Sequence, residues 1–525
     1  MATTRLSGVL LACLVVVAGA LALSASAAQQ TPKRGGTFVM ALSSDVSTLD
    51  PAHAGYDFAS WSATIALYSS LVDYNRGLKI RGDLASSWKV SNGGKTYTFR
   101  LRPHVVFSDG SPLTSSDVGY TVERILAPKT ASEGAWIFGG VVGSDAFAKG
   151  KAAHVAGVST PNPSTVVFRL KTPESYFLNL LAMPYARVVK QSQVGKYGSA
   201  FSSHPLGSGP FVLQKWTHGQ EMVLVRNPKY FAPGVPSLDK VSILLNQNDQ
   251  TRILAFQRNQ LSISDVPSAA FAQFTGDPRY KPYLISNVDP DTYFIGMKAN
   301  EPPFDKLPVR QAMNYAVNKQ RLIQLQNGLA TVANGVIPPT MPGYNPRLAG
   351  YSYDPAKARA LLSQAGYPNG FSTELWTKND ELSTRIVQSV ANDLAAVGVK
   401  VSIHAVDSSA FYSNVGKVPM YFRRWWQDFP DPYDFFSNLL TKAQWGPNNA
   451  AYYYNPVVDK GVARASSMQN AGARARLWRS LDQTVSSDAP WIFLYHTRTV
   501  NVRQPNVHFY LHPVHIWRFA DYSIG

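Results

Sequence analysis

The chain has 525 residues, of which 45% are hydrophobic and 12% aromatic, so its composition excludes a disordered chain and predicts a large buried core. Its formal net charge at pH 7 is +17, but the lysines and arginines are scattered without a run of five. This distribution argues against binding of nucleic acid and leaves a generally basic surface or an anionic partner. The length alone predicts about two to four structural units.

The N-terminus has the pattern of a targeting segment. Arg5 supplies a positive charge, and residues 9–23 form an apolar run of 15 residues, which is too short for an ordinary membrane span. An Ala-Ser-Ala sequence follows and predicts cleavage after Ala27 or Ala28. We therefore predict that residues 1–28 are a signal peptide and that the mature protein is exported to the periplasm.

The only cysteine of the chain, Cys13, lies inside this apolar run. The residues that end with it vaguely resemble a lipobox, but the apolar run continues beyond Cys13, where a lipoprotein would begin its polar mature part. We therefore expect no lipid anchor. A mature chain without cysteine excludes disulfides, cysteine zinc ligands and a cysteine nucleophile, and it suits an oxidising compartment.

The first third of the mature chain favours strands. Residues 35–41 predict a first strand, and residues 96–101 alternate apolar and polar side chains as a half-buried strand does. An Asp-Gly-Ser-Pro turn at 109–112 precedes a predicted helix with Ser116 as a possible N-cap. Residues 68–170 are therefore predicted to form a small, mainly antiparallel unit.

Further along, helices and strands alternate. The pattern predicts a helix over 308–323, and another that starts at the Asp354–Pro355 cap and ends at Gly366. A further helix ends at Gly398, and residues 399–405 then alternate as a strand. This alternation predicts an α/β fold class.

Residues 423–432, Arg-Arg-Trp-Trp-Gln-Asp-Phe-Pro-Asp-Pro, are the best candidate for a site. The two prolines remove backbone donors and disfavour helix, so we predict a rigid, extended loop that carries Trp425, Trp426 and Asp428. An aromatic wall beside a fixed carboxylate suits a small molecule that is partly apolar and partly cationic. The alternative is a strand end whose tryptophans belong to the core.

No motif for catalysis or metal binding is complete. A P-loop would need glycine where Lys89 stands, and residues 207–209 do not form a nucleophile elbow. A cluster of histidines, His508, His512 and His515, is interrupted by proline and does not predict a metal site. We therefore expect no metal, no cofactor and no enzymatic activity. A secreted hydrolase with an unrecognised triad is the alternative from another class.

Several short motifs occur along the chain in a fixed order. They are GGTFVMA at 35–41 with LDPA at 49–52, FSDGSPLTSSDVGYTVER at 107–124, LGSGPF at 206–211, NPKY at 227–230, VRQAMNYA at 309–316 and WWQDFPDP at 425–432. In this order, over about residues 36–497, they resemble the extracytoplasmic solute-binding proteins of peptide and nickel ABC importers. The resemblance implies the type II periplasmic binding protein fold, with two lobes around a ligand cleft and an extra small domain.

The resemblance also implies discontinuous lobes. Lobe I would comprise residues 29–62, 187–289 and 493–525, the extra small domain residues 63–186, and lobe II residues 290–492. The chain would cross the hinge near 288–293 and return near 490–497.

The same resemblance assigns roles in residues 423–432. Asp428 would receive the α-amino group of a peptide ligand, and Trp425 and Trp426 would stack on it, with one of them in the pocket and one in the core. Arg423 and Arg424 replace the small residues usual there, and they would fill the pocket, anchor a ligand carboxylate or lie outside. The alternative role for Asp428 is an ion pair with one of these arginines.

The remaining implied site residues are Tyr56, Asp57 and Phe58 in an early loop and Tyr495 near the return crossing. Asp431 and Asp434 are predicted to be turn and cap residues.

The resemblance implies the solute-binding subunit of an ABC importer, which captures oligopeptides or dipeptides by hinge closure and delivers them to membrane permease subunits. A monomer that binds no nucleic acid is expected. A nickel chelate, haem or sugar-like solute is the alternative ligand on the same fold.

Overall fold

The computed structural model describes residues 34–525 except 56 and 515, so the predicted signal peptide lies outside the described residues. Helices and strands are mixed throughout, as the predicted α/β class requires. No helix in the described ranges is long and apolar enough to cross a membrane.

The strands are β1 (Thr37–Ala41), β2 (Val72–Tyr74), β3 (Ile80–Gly82), β4 (Ala85–Ser91), β5 (Thr96–Leu101), β6 (Val158–Asn162), β7 (Thr165–Arg169), β8 (Phe211–Thr217), β9 (Glu221–Arg226), β10 (Lys240–Leu244), β11 (Ile263–Asp265), β12 (Leu284–Val288), β13 (Asp291–Met297), β14 (Ala330–Val332), β15 (Ser372–Lys378), β16 (Lys400–Val406), β17 (Met420–Trp426), β18 (Trp491–Arg503), β19 (Val507–His508) and β20 (Ser523–Ile524).

The α-helices are α1 (Phe58–Leu67), α2 (Ser115–Leu126), α3 (Ser144–Ala148), α4 (Phe177–Ala182), α5 (Gln191–Tyr197), α6 (Asp249–Gln257), α7 (Phe271–Gly276), α8 (Leu307–Ala316), α9 (Lys319–Leu325), α10 (Pro355–Gln364), α11 (Glu381–Ala395), α12 (Ser408–Asn414), α13 (Pro432–Leu439), α14 (Pro456–Ser467) and α15 (Ala471–Asp488).

Three larger sheets and two pairs of strands, β2-β3 and β19-β20, organise the described strands. A four-stranded sheet has the order β1-β10-β9-β8, and an antiparallel sheet has the order β4-β5-β7-β6. The largest sheet has eight strands in the order β11-β18-β13-β17-β15-β16, with β12 and β14 also paired to β18. The predicted strand at 96–101 is confirmed as β5, in which Tyr97, Phe99 and Leu101 are buried on one face.

Two helix predictions needed correction. Residues 308–323 form two helices, α8 and α9, because Val317 is extended and the Asn318 side chain caps α9 by accepting a hydrogen bond from Arg321 N. The N-cap of α2 is Thr114, which shares a capping box with Asp117, and Ser116 lies inside the helix. The cap predicted at Asp354 is confirmed, since its side chain accepts from the amide of Lys357 at the start of α10.

The 13-residue strand β18 connects two parts of the largest sheet. Its first half pairs with β13 and β14 and its second half with β12 and β11, always antiparallel. The segments 288–293 and 495–499 therefore run side by side, and we call these two segments the crossing ribbon. The predicted hinge crossings fall on this ribbon, while the lobe boundaries themselves stay a prediction.

Buried polar groups bind the two strands of the crossing ribbon together. Thr497 Oγ1 lies 2.7 Å from Asp289 Oδ2 and 2.6 Å from Asp291 Oδ2, and Thr499 N donates to Asp289 Oδ1 at 3.0 Å. Burial, together with the charge of Asp289, raises the pKa of Asp291 to about 7. Side-chain hydrogen bonds thus connect the two segments of the ribbon, in addition to the backbone hydrogen bonds of the sheet.

A buried ion-pair cluster fixes the C-terminal segment. Arg518 donates from both terminal nitrogens to the carboxylate of Asp73 at 2.8 and 2.7 Å. Arg187 donates to Asp73 and to Asp83, each at 3.3 Å. Burial acts to raise the pKa of Asp73, but the two guanidinium groups, Arg518 first, outweigh it and hold that pKa well below its usual range. We call these four residues the Asp73 cluster.

Asp482 on α15 is a buried carboxyl group that forms no ion pair with any residue that the structure describes. Its side chain is 1% exposed, and Oδ1 accepts a hydrogen bond from Val336 N at 2.7 Å. Burial raises its pKa to about 7, above the unfolded value. The contribution of this group to stability is therefore complete below about pH 4 and is lost as the pH rises through about 7.

The variant Asp482→Asn should lack this pH dependence, because its amide stays neutral at every pH. As the pH rises from about 4 to about 7, the free energy of unfolding of the variant should increase relative to that of the wild type by about 1.4 kcal/mol per pH unit. Urea unfolding of both proteins across this pH range measures the difference. Parallel pH profiles would show that Asp482 is ionised in the native state.

Candidate functional site

A cavity of about 850 Å³ lies at the end of β17. Its aromatic lining consists of Phe58, Trp61, Tyr293, Phe411, Tyr412, Phe422, Trp425, Trp426 and Tyr495. Its charged lining consists of Lys378, Asp380, Arg423, Arg424 and Asp428. A cavity of this size suits a small molecule or a short peptide.

The two tryptophans end a strand rather than sit on a loop. In the ladder between β17 and β13, Trp425 lies opposite Thr292 and Trp426 opposite Asp291. The prediction of an extended loop at these positions is wrong, because pairing with β13 continues through Trp426. Asp428 follows in the short connection before α13.

Both tryptophans line the cavity, and each is half-buried. The ring of Trp426 packs 5.3 Å from that of Phe58 on α1. Trp425 also packs against the apolar cluster beside α13, and its indole Nε1 donates to Asp434 Oδ2 at 3.1 Å. The expected division into one pocket residue and one core residue is therefore not observed.

Asp434 holds Trp425 and Asp428 in position through hydrogen bonds. It is fully buried, and its Oδ2 also accepts from the backbone amide of Asp428 at 2.9 Å. The prediction of a cap is wrong for Asp434 and confirmed for Asp431, whose Oδ1 accepts from Tyr433 N at the start of α13. One carboxylate thus orients both the Trp425 indole and the chain at Asp428.

The electrostatics of Asp428 follow from this arrangement. Burial raises the pKa of Asp428 to about 6, in spite of its hydrogen bond with Asp434. Burial and the neighbouring charge of Asp428 raise the pKa of Asp434 well above its usual range. Asp434 is the more deeply buried of the two, so Asp428, which lines the cavity, is the carboxyl group of the pair that ionises more readily.

Neither arginine pairs with Asp428 within the part of the chain that the structure describes. Arg423 is 8% exposed and donates to the carbonyl oxygens of Pro447 and Asn448 at 2.9 and 3.1 Å. Burial lowers the pKa of Arg423. Its guanidinium thus supports the 447–448 loop, and the alternative of an Asp428 ion pair is not realised.

Arg424 faces the cavity from the other side of β17. Its guanidinium carbon lies 5.0 Å from the ring centre of Trp426 and 5.7 Å from that of Tyr293. Burial acts to lower the pKa of Arg424, but Tyr293 and Asp291 outweigh it and raise that pKa. The aromatic rings hold the guanidinium in place without neutralising it.

The structure treats the three site residues expected in the early loop separately. Tyr56 lies outside the described residues, whereas Phe58 lines the cavity. The expectation that Asp57 faces the cleft is wrong, because its carboxylate caps α1 through Ala59 N at 2.9 Å and binds the hydroxyl groups of Ser47 and Ser60.

Tyr495 lines the cavity from the crossing ribbon. Its ring lies 4.7 Å from that of Tyr293, and Gln326 Nε2 donates to its hydroxyl oxygen at 3.2 Å. Sequence reasoning missed Tyr293, Trp61 and Lys378, because each of these reaches the cavity only through the sheet order or through α1, and it also missed Gln427. Only Gln427 had a local signal, its place between the second tryptophan and Asp428.

No group of histidine, cysteine, aspartate or glutamate in the described ranges has the arrangement of a metal site. His512 is buried, with Nε2 at 3.3 Å from the carbonyl oxygen of Asn75. His508 is exposed on β19, and His515 falls outside the described residues.

The fold and the cavity define the class of protein: an α/β protein of several domains with a cavity large enough for a small solute. The family model described as bacterial extracellular solute-binding proteins, family 5 Middle, matches residues 79–447. The chain belongs to this family.

Curated relatives and solved structures extend the comparison. The glutathione-binding protein GsiB of Escherichia coli O157:H7 is 29% identical over 481 residues, with 89% of this chain and 90% of that protein covered. The clavulanic acid biosynthesis oligopeptide binding protein 2 has a TM-score of 0.87 at 26% identity, with 94% and 96% of the two chains covered. The periplasmic binding protein DppA from Helicobacter pylori, in complex with the peptide STSA, has a TM-score of 0.74 at 26% identity, with 94% and 98% covered.

Proposed function

We propose that this protein is the solute-binding subunit of an ABC importer and that it captures dipeptides or other short peptides in the cavity. The observation that carries the proposal is the carboxylate of Asp428 in a cavity of about 850 Å³ walled by indole and phenol rings. The protein performs no reaction on its ligand and hands it to the permease unchanged.

The chemistry of Asp428 favours a cationic group at this end of the ligand. A partly dehydrated carboxylate gains most from a cation that both neutralises it and donates hydrogen bonds, as the α-ammonium group of a peptide does. Trp425 and Trp426 would contact the adjacent apolar part of the ligand. The relatives named for glutathione, and the DppA complex with the peptide STSA, support a peptide-like ligand.

Capture would proceed by hinge closure. We assign the lobes as the family resemblance implies, with lobe II at 290–492 and lobe I on either side of it in sequence. The crossing ribbon would bend while the lobes close on the ligand, and the closed form would dock on the permease. Asp428, Trp425 and Trp426 would bind from lobe II and Phe58 from lobe I.

The location follows from the function. Delivery to a membrane permease requires an exported protein, so we propose that residues 1–28 are removed as a signal peptide and that the periplasmic protein acts as an unlipidated monomer.

Ligand binding should make the protein more compact, because closure brings the lobes together over the cavity. Calorimetry with a panel of dipeptides that includes Ala-Ala and Ala-Glu identifies a binder, and small-angle scattering then measures the radius of gyration with and without it. We expect a smaller radius in the complex.

An unchanged radius at saturation would contradict closure, and a panel without any binder would contradict peptide capture. Chromatography of the peptide after incubation provides the control for the proposed absence of chemistry. Cleavage of the peptide would favour a hydrolase instead.

A further inference from the structure

We propose that the cavity selects short peptides that carry two carboxylates, with Arg424 and Lys378 as two separate carboxylate anchors. This inference rests on the proposed function, because it assumes that the cavity binds peptides. It adds the chemical class of the peptide and two residues that determine specificity.

Arg424 has the properties of an anion anchor. Its side chain is exposed at the cavity and lies against the rings of Tyr293 and Trp426, at 5.7 and 5.0 Å. It forms no ion pair of 4.0 Å or less with any described residue. The guanidinium also interacts with the hydroxyl group of Tyr293, and its remaining donors are available for a carboxylate.

Lys378 provides the second cation. It ends β15, a neighbour of β17 in the sheet, and the parallel pairing aligns Leu375 with Met420 and Trp376 with Tyr421. Two residues further on, Lys378 lies at the rim of the same cavity, half-buried. Within the described part of the chain its ammonium group has neither an ion pair nor a hydrogen bond.

Two other charged groups of the lining, Arg423 and Asp380, have hydrogen-bond partners in the protein. The Arg423 guanidinium binds two backbone carbonyl groups. The Asp380 carboxylate caps α11, where it accepts from Ser383 N at 2.9 Å and from Ser383 Oγ at 2.8 Å. Among the described residues, the lining therefore offers two cations without an ion pair, Arg424 and Lys378, and one carboxylate that does not cap a helix, Asp428.

The complement of this charge pattern is a ligand with one ammonium group and two carboxylates. A short peptide with a free amino terminus, a free C-terminal carboxylate and one acidic side chain has this composition. The reach also fits, because Asp428 follows Arg424 by four residues, which limits the distance between their Cα atoms to at most about 14 Å. A neutral dipeptide would leave one cation of the cavity unpaired.

Three probes separate the two carboxylates: Ala-Glu, Ala-Gln, which lacks the side-chain charge, and the C-terminal amide of Ala-Glu. Calorimetry with the wild type should show that each of the two modified peptides binds about 10- to 100-fold more weakly than Ala-Glu. Arg424→Gln should abolish the penalty for losing one of the carboxylates, and Lys378→Gln should abolish the penalty for losing the other. The side-chain carboxylate and the C-terminus are assigned to their anchors by this pattern.

Lys460→Gln is the matched control, since Lys460 is exposed on α14 and does not line the cavity. It should retain both penalties, and equal melting temperatures verify that the variants fold. Equal binding of Ala-Glu and Ala-Gln by the wild type would overturn the inference while leaving peptide capture intact. Penalties that persist in both cavity variants would overturn the assignment of the anchors. Failure of the wild type to bind any of the peptides would instead contradict the proposed function.

Discussion

Replacement of Asp428 by Asn should weaken binding of Ala-Glu by about 30-fold to several-thousand-fold and leave the fold intact. The change keeps the size and shape of the side chain but removes the charge that pairs with the ligand's ammonium group. Loss of one partner from a buried, hydrogen-bonded charge pair costs about 2–5 kcal/mol, and this range sets the expected loss of affinity. Calorimetry on both proteins measures it.

N-acetyl-Ala-Glu completes a double-mutant cycle, because acetylation removes the ammonium group from the ligand. The wild type should bind the acetylated peptide weakly, and Asp428→Asn should add little further loss. Asp305→Asn, at an exposed position outside the lining, is the matched control. Equal weakening of both peptides, with a lower melting temperature, would mean that Asp428 supports the fold rather than the ligand.

The pH dependence of ligand affinity provides a second test of the role of Asp428. Burial raises the pKa of Asp428 to about 6, so protonation below this pH removes the partner of the ammonium group. Affinity of the wild type for Ala-Glu should therefore fall toward acid, by up to about tenfold per pH unit. The Asp428→Asn variant should lack this part of the pH profile.

The variant Asp73→Asn should destabilise the protein by about 3–5 kcal/mol, because it leaves the guanidinium groups of Arg518 and Arg187 buried without their main counter-charge. Both arginines are at most 5% exposed, so water cannot replace the lost carboxylate. Urea unfolding of wild type and variant measures the difference. The pKa of Asp73 is depressed in the fold, so its contribution is present above the unfolded pKa and is lost as the pH falls.

The pair of Asp277 and Arg279 is the matched control. Its atoms approach to 2.6 Å, as closely as those of the Asp73 cluster, but the Arg279 side chain is 75% exposed. Asp277→Asn should therefore leave unfolding unchanged, since an exposed pair gains little over hydration. Similar losses in the two variants would show that burial does not set the strength of these ion pairs.

Much of the fold was predictable because local patterns and tertiary structure agree. The alternation in β5 and the Asp354 cap of α10 are signals carried by a few neighbouring residues. The break between α8 and α9 was not predictable from apolar spacing, which continues across it. There, the side chain of Asp393 on α11 accepts from the amide of Asn318, a contact between distant parts of the chain.

The candidate site divides in the same way. Residues 423–432 stood out because tryptophan, arginine, carboxylate and proline are concentrated in one segment. Lys378 carried no such signal, since it reaches the cavity only because β15 lies beside β17 in the sheet. The sequence interpretation placed Asp57 in the cleft because a carboxylate before a helix can be either a cleft residue or an N-cap. Only the structure distinguishes these two roles.

The crossing ribbon has a consequence for how a ligand is sensed. Tyr293 and Tyr495 are stacked neighbours on its two strands, and both line the cavity. In the proposed closure, the crossing ribbon thus both bends and contacts the ligand. Ligand binding would therefore act on the hinge directly, without a structural change that passes through the lobes. A peptide that wedges between these rings would set the bend angle directly, so ligands of different bulk would produce different degrees of closure.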